Sequence, residues 1–202
     1  MKTRILLIRH GETDWNSQRR IQGHTDIPLN HIGLQQARQV ANRMRQEAIS
    51  ACYSSDLQRA RNTAEHIAKH HGLGVKINER LRERYYGQLE GMTKDEIDQM
   101  FPDYQARNHA NVGQETLEHV RLRAMQALAE IAERHRGQSV AVVSHGGWIN
   151  AVLFMISEGK AGTGITHLEN TSITTLIREG QLWKIETIGD VLHLGEDASI
   201  LS

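Results

Sequence analysis

Two short apolar segments do most to restrict what this chain can fold into. Arg4-Ile5-Leu6-Leu7-Ile8 stops at Arg9-His10-Gly11, and Ser139-Val140-Ala141-Val142-Val143 stops at Ser144-His145-Gly146-Gly147. An apolar run of that length without polar alternation is the pattern of a strand covered on both faces. Such strands belong to mainly parallel sheets with helices above and below. The rest of the chain supplies the helices. Residues 31–47 place Ile32, Ala37, Val40, Ala41 and Met44 near helical spacing. Ser54-Ser55-Asp56 offers caps for a helix from about Leu57 to His70, ended by Gly72. Residues 114–136 put Leu117, Val120, Ala124, Leu128, Ile131 and Ala132 on one face, and Gly137 ends them.

Further strands are predicted at Ala51-Cys52-Tyr53 and Val75-Lys76-Ile77, with a terminal pair at Ser172–Ile177 and Leu182–Ile188 turning at Glu179-Gly180. Thr93-Lys94-Asp95-Glu96 is a capping box that opens a short helix toward Met100. The expected fold is α/β: a three-layer sandwich with a mainly parallel central sheet flanked by helices. It forms one domain over residues 1–202. Strand signals are weakest at residues 79–115, so a local insertion covering the site is expected there.

Composition narrows the function. Lys plus Arg and Asp plus Glu number 24 each, so the chain carries no formal net charge. Neutrality argues against nucleic-acid binding and against a polybasic membrane surface. The charge is uneven: residues 1–100 hold 16 basic and 12 acidic side chains, a net of +4, and the remainder is −4. An anion site is therefore expected to draw on the first half. Cys52, the one cysteine, allows no intrachain disulfide and reads as a small buried residue. No apolar run approaches the ~20 residues of a membrane span, and no signal peptide is apparent. A cytoplasmic protein is the expectation.

The matched His-Gly ends carry the chemistry. In open α/β sheets, ligands bind outside the carboxyl ends of strands. Each histidine precedes a glycine, which allows a tight turn and a close approach to a ligand. One such histidine is more simply a satisfied polar residue; two on matching topology, with Arg9 beside the first, point to a shared site. Arg59 sits in the first turn of its helix, adding to the positive helix end. Arg61 lies on another face.

These residues resemble a family. Leu7-Ile8-Arg9-His10-Gly11-Glu12-Thr13-Asp14-Trp15-Asn16 is similar to the signature of the histidine phosphatase superfamily, the phosphoglycerate mutase-like proteins. The likeness continues at Gln22-Gly23, at Asp26–Asn30, at Ser54–Ala60, at Leu81–Gly91 and at Val143–Gly147. The resemblance implies that His10 is a nucleophile forming a phosphohistidine, neutral at its attacking nitrogen. Arg9 and Arg59 grip the phosphoryl oxygens, and His145 is a further donor to them. Asn16, Gln22 and the backbone at Gly146 are secondary phosphate contacts. Glu83 protonates the leaving oxygen and then activates water. Its neighbours Arg82 and Arg84 favour the ionised carboxylate, against an acid role. Glu90 is a lesser rival for that role.

The implied function is a metal-independent phosphatase acting on small phosphomonoesters. It needs no cofactor and holds no metal. Its partner is a small phosphorylated metabolite, and a homodimer stays open. The alternative is a phosphoglycerate mutase. Arg84, Tyr86 and Lys94 lean that way, as candidate contacts for a substrate carboxylate or second phosphate. The mutases' extra segment is missing, however, and Arg107 stands alone where they place a pair of arginines. A non-catalytic phospho-ligand binding module is a distant third, because Arg9, His10, Arg59, Glu83 and His145 are all present. The glycine-rich stretch at 159–164 lacks P-loop order and reads as a flexible loop. Most of the remaining histidines are expected to be solvated.

Overall fold

A computed structural model describes residues 1–102 and 112–195. Arg107 and His109 lie outside the described residues. The chain runs β1 (Lys2–Arg9), α1 (Asp14–Ser17), α2 (His31–Met44), β2 (Ile49–Ser54), α3 (Gln58–His70), β3 (Val75–Ile77), α4 (Lys94–Met100), α5 (Leu117–Arg134), β4 (Ser139–Ser144), α6 (Gly146–Ile156), β5 (Ile173–Glu179) and β6 (Leu182–Asp190). The sheet order is β3-β2-β4-β1-β5-β6. The first four strands pair in parallel, and β5 and β6 close the sheet antiparallel. The expected α/β sandwich is what forms.

Successive strand residues face opposite sides, so each run feeds two cores. Ile5, Leu7, Tyr53, Val140 and Val142 pack with Leu128 of α5 and Trp148 and Val152 of α6. Leu6, Ile8, Cys52, Ala141 and Val143 pack with Val40 and Met44 of α2 and Ala64 and Ile67 of α3. The absence of polar alternation in β1 and β4 is thus explained by a helical layer on each side. A smaller cluster of Leu89, Ile97 and Val112 packs with Ile21 and Phe101 beside the strand ends.

Two expectations about helices and one about a loop are corrected. Ile32, expected on the apolar face of α2, is 41% exposed, because it falls outside the buried stripe made by Gly33, Ala37, Val40, Ala41 and Met44. The hydroxyls and carboxylate of Ser54-Ser55-Asp56 do not cap α3. Its N-cap is Leu57, without a side-chain bond, and the Gln58 N–H donates instead to Asp26 Oδ1 at 2.8 Å. The three residues are spent elsewhere, Asp56 on Arg82. The glycine-rich stretch is packed as well as turned. A Cβ on Gly162, at φ +100°, would strike the Asn150 carbonyl and the Phe154 backbone.

Gly11 also has a different use from the one expected. A Cβ there would sit 2.6 Å from the Gly33 carbonyl, and one on Gly33 would strike the Glu12 backbone. The two glycines let the N-terminus of α2 press against the chain leaving β1. Gly33→Ala is expected to lower stability by about 1–3 kcal/mol, an overpacking penalty without room to relax. A fall in thermal midpoint in calorimetry checks it; an unchanged midpoint contradicts this account.

Candidate active site

The parallel pairing of β1 with β4 sets Arg9 opposite Ser144. The next residues, His10 and His145, therefore leave the sheet side by side. The His10 N–H donates to the Ser144 carbonyl at 3.0 Å, and the two imidazoles lie 5.1 Å apart, tilted by 58°. In front of them is a cavity of about 270 Å³ at the strand ends. Arg9, His10, Asn16, Gln22, Arg59, Glu83, Tyr86 and Gly146 line it, and His145 stands just behind.

His10 is only 3% exposed. Its Nδ1 lies 2.7 Å from the Gly11 carbonyl. A carbonyl only accepts, so Nδ1 carries the proton and Nε2 keeps its lone pair. Burial, followed by the charges of Arg59 and Arg9, pushes the His10 pKa well below its ordinary value. The backbone around it is pinned from three sides. Thr63 Oγ1 takes the Gly11 N–H, Asn170 Nδ2 donates to the His10 carbonyl, and the Thr171 N–H reaches the carbonyls of Arg9 and His10.

His145 is likewise buried, with Nε2 2.8 Å from Ser55 Oγ. Burial first, then Arg59, holds its pKa well below the ordinary range. Arg59 is fully buried at the start of α3 and donates to the carbonyls of Thr25 and Gly23 at 2.8 and 2.7 Å. Burial lowers its pKa to about 10, so it stays charged at neutral pH. Arg9 donates through Nη1 to the Leu168 carbonyl. Arg9 Nε, Arg59 Nε and His145 Nδ1 are buried and meet no acceptor among the described residues. Buried polar groups without partners are uncommon; others lie elsewhere in the chain, but these three belong to the side chains grouped around His10. The group that suits them is an anion with several oxygens.

Glu83 enters from the irregular segment after β3. Its carboxylate accepts N–H bonds from Gly147 at 2.9 Å, Trp148 at 3.0 Å and Arg84 at 2.8 Å. The first two belong to the N-terminus of α6, the positive end of a helix. Gly147 permits this approach, since a Cβ would lie 2.5 Å from Glu83 Oε1. The flanking guanidiniums do not crowd Glu83 as the sequence suggested. Arg82 is clamped on Asp56, and Arg84 Nε donates to the Glu115 carbonyl at 2.7 Å.

Glu90, the rival, does not line the cavity. It accepts from the N–H groups of His24, Thr25 and Tyr86 and from the Thr25 hydroxyl. Asn16 and Gln22 reach the cavity as expected; Asn16 Oδ1 is occupied by the Thr13 N–H and hydroxyl. Of the three residues proposed for a second substrate group, only Tyr86 lines the cavity. Lys94 is exposed at the start of α4, and Arg84 is turned to Glu115. Arg61 pairs with Glu65 on the surface.

Several contributors were not picked out from the sequence. Ser55 was read as a helix cap, and Thr63 and Asn170 carried no visible signal. His24 was counted among the solvated histidines, yet its Nε2 lies 2.8 Å from the Glu83 carbonyl. Among the described residues, no three His, Cys, Asp or Glu side chains are grouped to hold a metal ion, and no helix is long and apolar enough to cross a membrane.

A neutral imidazole with a free nitrogen, set among buried guanidiniums at the ends of parallel strands, defines a site for a tetrahedral oxyanion. The family follows from comparison. The model of the histidine phosphatase superfamily (branch 1) matches residues 5–191, and the chain belongs to that superfamily. It is 39% identical over 98% of its length to phosphoglycerate mutase-like protein 4 of Arabidopsis thaliana, covering 90% of that protein. It is 37% identical over 95% of its length to a metal-independent phosphoserine phosphatase of the same plant, covering 83% of it. The solved structure of Bacillus stearothermophilus YhfR superposes with a TM-score of 0.88 at 33% identity, over 95% of this chain and 99% of that one.

The two buried histidines tie stability to pH. Their folded forms resist protonation, so the unfolded chain binds more protons once pH falls below about 6.5. Stability is full above that value and declines as pH drops, by up to about 1.4 kcal/mol per pH unit for each histidine. His145→Gln is expected to flatten the decline by about one proton. Denaturant titrations between pH 5 and 7.5 measure the slope, and an identical slope in the variant contradicts the burial argument.

Proposed function

We propose that the chain hydrolyses small phosphomonoesters, without a metal ion, through a phosphohistidine on His10. The observation that carries this reading is the state of His10. Its Nδ1–H is fixed by the Gly11 carbonyl and its free Nε2 meets the cavity between Arg9 and Arg59. In the first step, Nε2 attacks phosphorus in line. The Nε2–P bond forms, the P–O ester bond breaks, and Glu83 gives its proton to the leaving oxygen. In the second, Glu83 takes a proton from water, the water oxygen bonds to phosphorus, and the Nε2–P bond breaks. Arg9, Arg59 and His145 hold the phosphoryl oxygens throughout, with Asn16, Gln22 and the Gly146 backbone as lesser contacts.

Hydrolysis is preferred to mutase chemistry because a mutase must hold the rest of the substrate while the phosphoryl group moves. Arg84 and Lys94, the candidates for that task, do not line the cavity; the Arg84 guanidinium lies over the ring of Tyr86 and donates to the Glu115 carbonyl. The relative named as a phosphoserine phosphatase supports the same reading, as does a cavity sized for a small metabolite. A binding module has no use for a carboxylate aimed beside a nucleophile.

His10→Ala is expected to lower turnover by at least about 10³-fold and to abolish the acid-labile phosphoenzyme. Labelling that persists in this variant moves the nucleophile elsewhere. EDTA is expected to leave activity intact; loss restored by added magnesium overturns the metal-free mechanism. Glu83→Gln is expected to slow phosphorylation of His10 by alkyl phosphates about 10²–10⁴-fold and by p-nitrophenyl phosphate much less, while hydrolysis of the phosphohistidine slows for both. A phosphate-release screen over phosphometabolites, run beside a phosphoglycerate isomerisation assay, separates hydrolysis from transfer.

A further inference from the structure

The segment that delivers Glu83 is neither helix nor strand from Arg82 onward, so no backbone ladder fixes it. Side chains hold it instead. The Arg80 carbonyl accepts from Trp148 Nε1 at 2.8 Å, and the Leu81 carbonyl accepts from Ser144 Oγ at 2.8 Å. The largest share falls to Arg123, in the second turn of α5. Its Nη1 donates to the carbonyls of Arg80 and Arg82 at 2.9 and 2.8 Å, and its Nη2 donates to the Glu83 carbonyl at 2.8 Å. The remaining N–H groups form a fork on Glu115, Nε to Oε1 at 2.7 Å and Nη2 to Oε2 at 2.8 Å.

A guanidinium has five N–H groups, and all five are used. Arg123 therefore has nothing left to offer a substrate, and its side chain is only 13% exposed. Glu115 is its orienting partner. Burial works against the Glu115 carboxylate, but the bond and charge of Arg123 outweigh it and hold the pKa below the ordinary value. Glu115 also accepts the Tyr85 N–H, and its carbonyl takes Arg84 Nε. One ion pair thus braces the chain on both sides of Glu83.

We propose that Arg123, oriented by Glu115, is a positioning residue for proton transfer by Glu83. This rests on the hydrolytic reading above. The carboxylate is aimed by the α6 N–H groups at one end and by Arg123 and His24 on its own carbonyl at the other. Removing the Arg123 fork leaves the α6 end intact and frees the backbone end. A shift of about 1 Å in a proton donor costs on the order of 10² in rate.

The test uses Arg123→Lys, which keeps the charge but cannot form the fork. Its substrates are p-nitrophenyl phosphate and the alkyl phosphate that the wild-type enzyme hydrolyses fastest. The nitrophenolate leaving group needs no proton, so phosphorylation of His10 is expected to survive. Hydrolysis of the phosphohistidine, which needs Glu83, is expected to slow. The result is a burst of nitrophenolate with phosphohistidine accumulating, and kcat on the alkyl ester down by about 10²-fold with KM little changed. Glu115→Gln is expected to show the same signature in weaker form, and it carries the test if Arg123→Lys does not fold. In a Glu83→Gln background, Arg123→Lys should add nothing, because the group it positions is gone.

Equal losses in the phosphorylation step on both esters, with no burst and tracking the folded fraction, would make Arg123 merely structural and overturn the proposal. So would additive losses in the double variant. If Glu83→Gln alone shows neither a leaving-group dependence in the phosphorylation of His10 nor an accumulation of phosphohistidine, the hydrolytic role of Glu83 fails instead, and the single variant reveals that without reference to Arg123.

Discussion

The rest of the site depends on the pairing of β1 with β4. Parallel strands share a direction, so their carboxyl ends emerge together, and the register Arg9 with Ser144 makes the following residues neighbours. A slip by one residue would turn every side chain in β1 to the other face and bury the wrong half of it. Two-sided burial of Ile5, Leu6, Leu7 and Ile8 against different helices is what forbids that slip. The distance between the two histidines is therefore fixed by the hydrophobic core.

That geometry lets cations and imidazoles share one desolvated space. Arg59 and His10 are both almost inaccessible, and a charged imidazole beside two guanidiniums in such a place would be strongly disfavoured. The imidazoles stay neutral and the guanidiniums stay charged, a consequence of how far apart their intrinsic affinities for protons lie. The carbonyls of Gly23, Thr25 and Leu168 offset part of the cost of burying the arginines. What remains is a site whose donors are already oriented before any anion arrives, which is where most electrostatic stabilisation of a transition state originates.

Much of this was legible in the sequence because it rests on local pattern. Uninterrupted apolar runs gave away β1 and β4, the capping box at Thr93 gave away α4, and the His-Gly endings with Arg9 and Arg59 marked the site. What stayed hidden depends on partners distant in the chain. Ser54-Ser55-Asp56 has the composition of a helix cap, and nothing local reveals that Ser55 serves His145 and Asp56 serves Arg82. Arg84 and Lys94 looked like substrate contacts because they follow Glu83 closely. The irregular backbone between them turns one to Glu115 and leaves the other in solvent. Arg123 lies on the polar side of an amphipathic pattern, where an arginine carries no signal at all.

The N-terminus of α6 is used in an unexpected way. Such a terminus is a ready site for a phosphate, yet here the N–H groups of Gly147 and Trp148 are given to the Glu83 carboxylate. The choice suits a group that changes charge during a reaction. When a carboxylic acid gives its proton to a leaving oxygen, a new anion appears in a space already crowded by phosphoryl oxygens. Three N–H donors and a helix dipole await that anion, so its appearance needs no rearrangement. In the proposed mechanism the guanidiniums hold the charge that is constant, that of the phosphoryl group, and the helix end holds the charge that comes and goes. Gly147 is the residue that keeps the two apart, because any side chain there would push the carboxylate off the helix end.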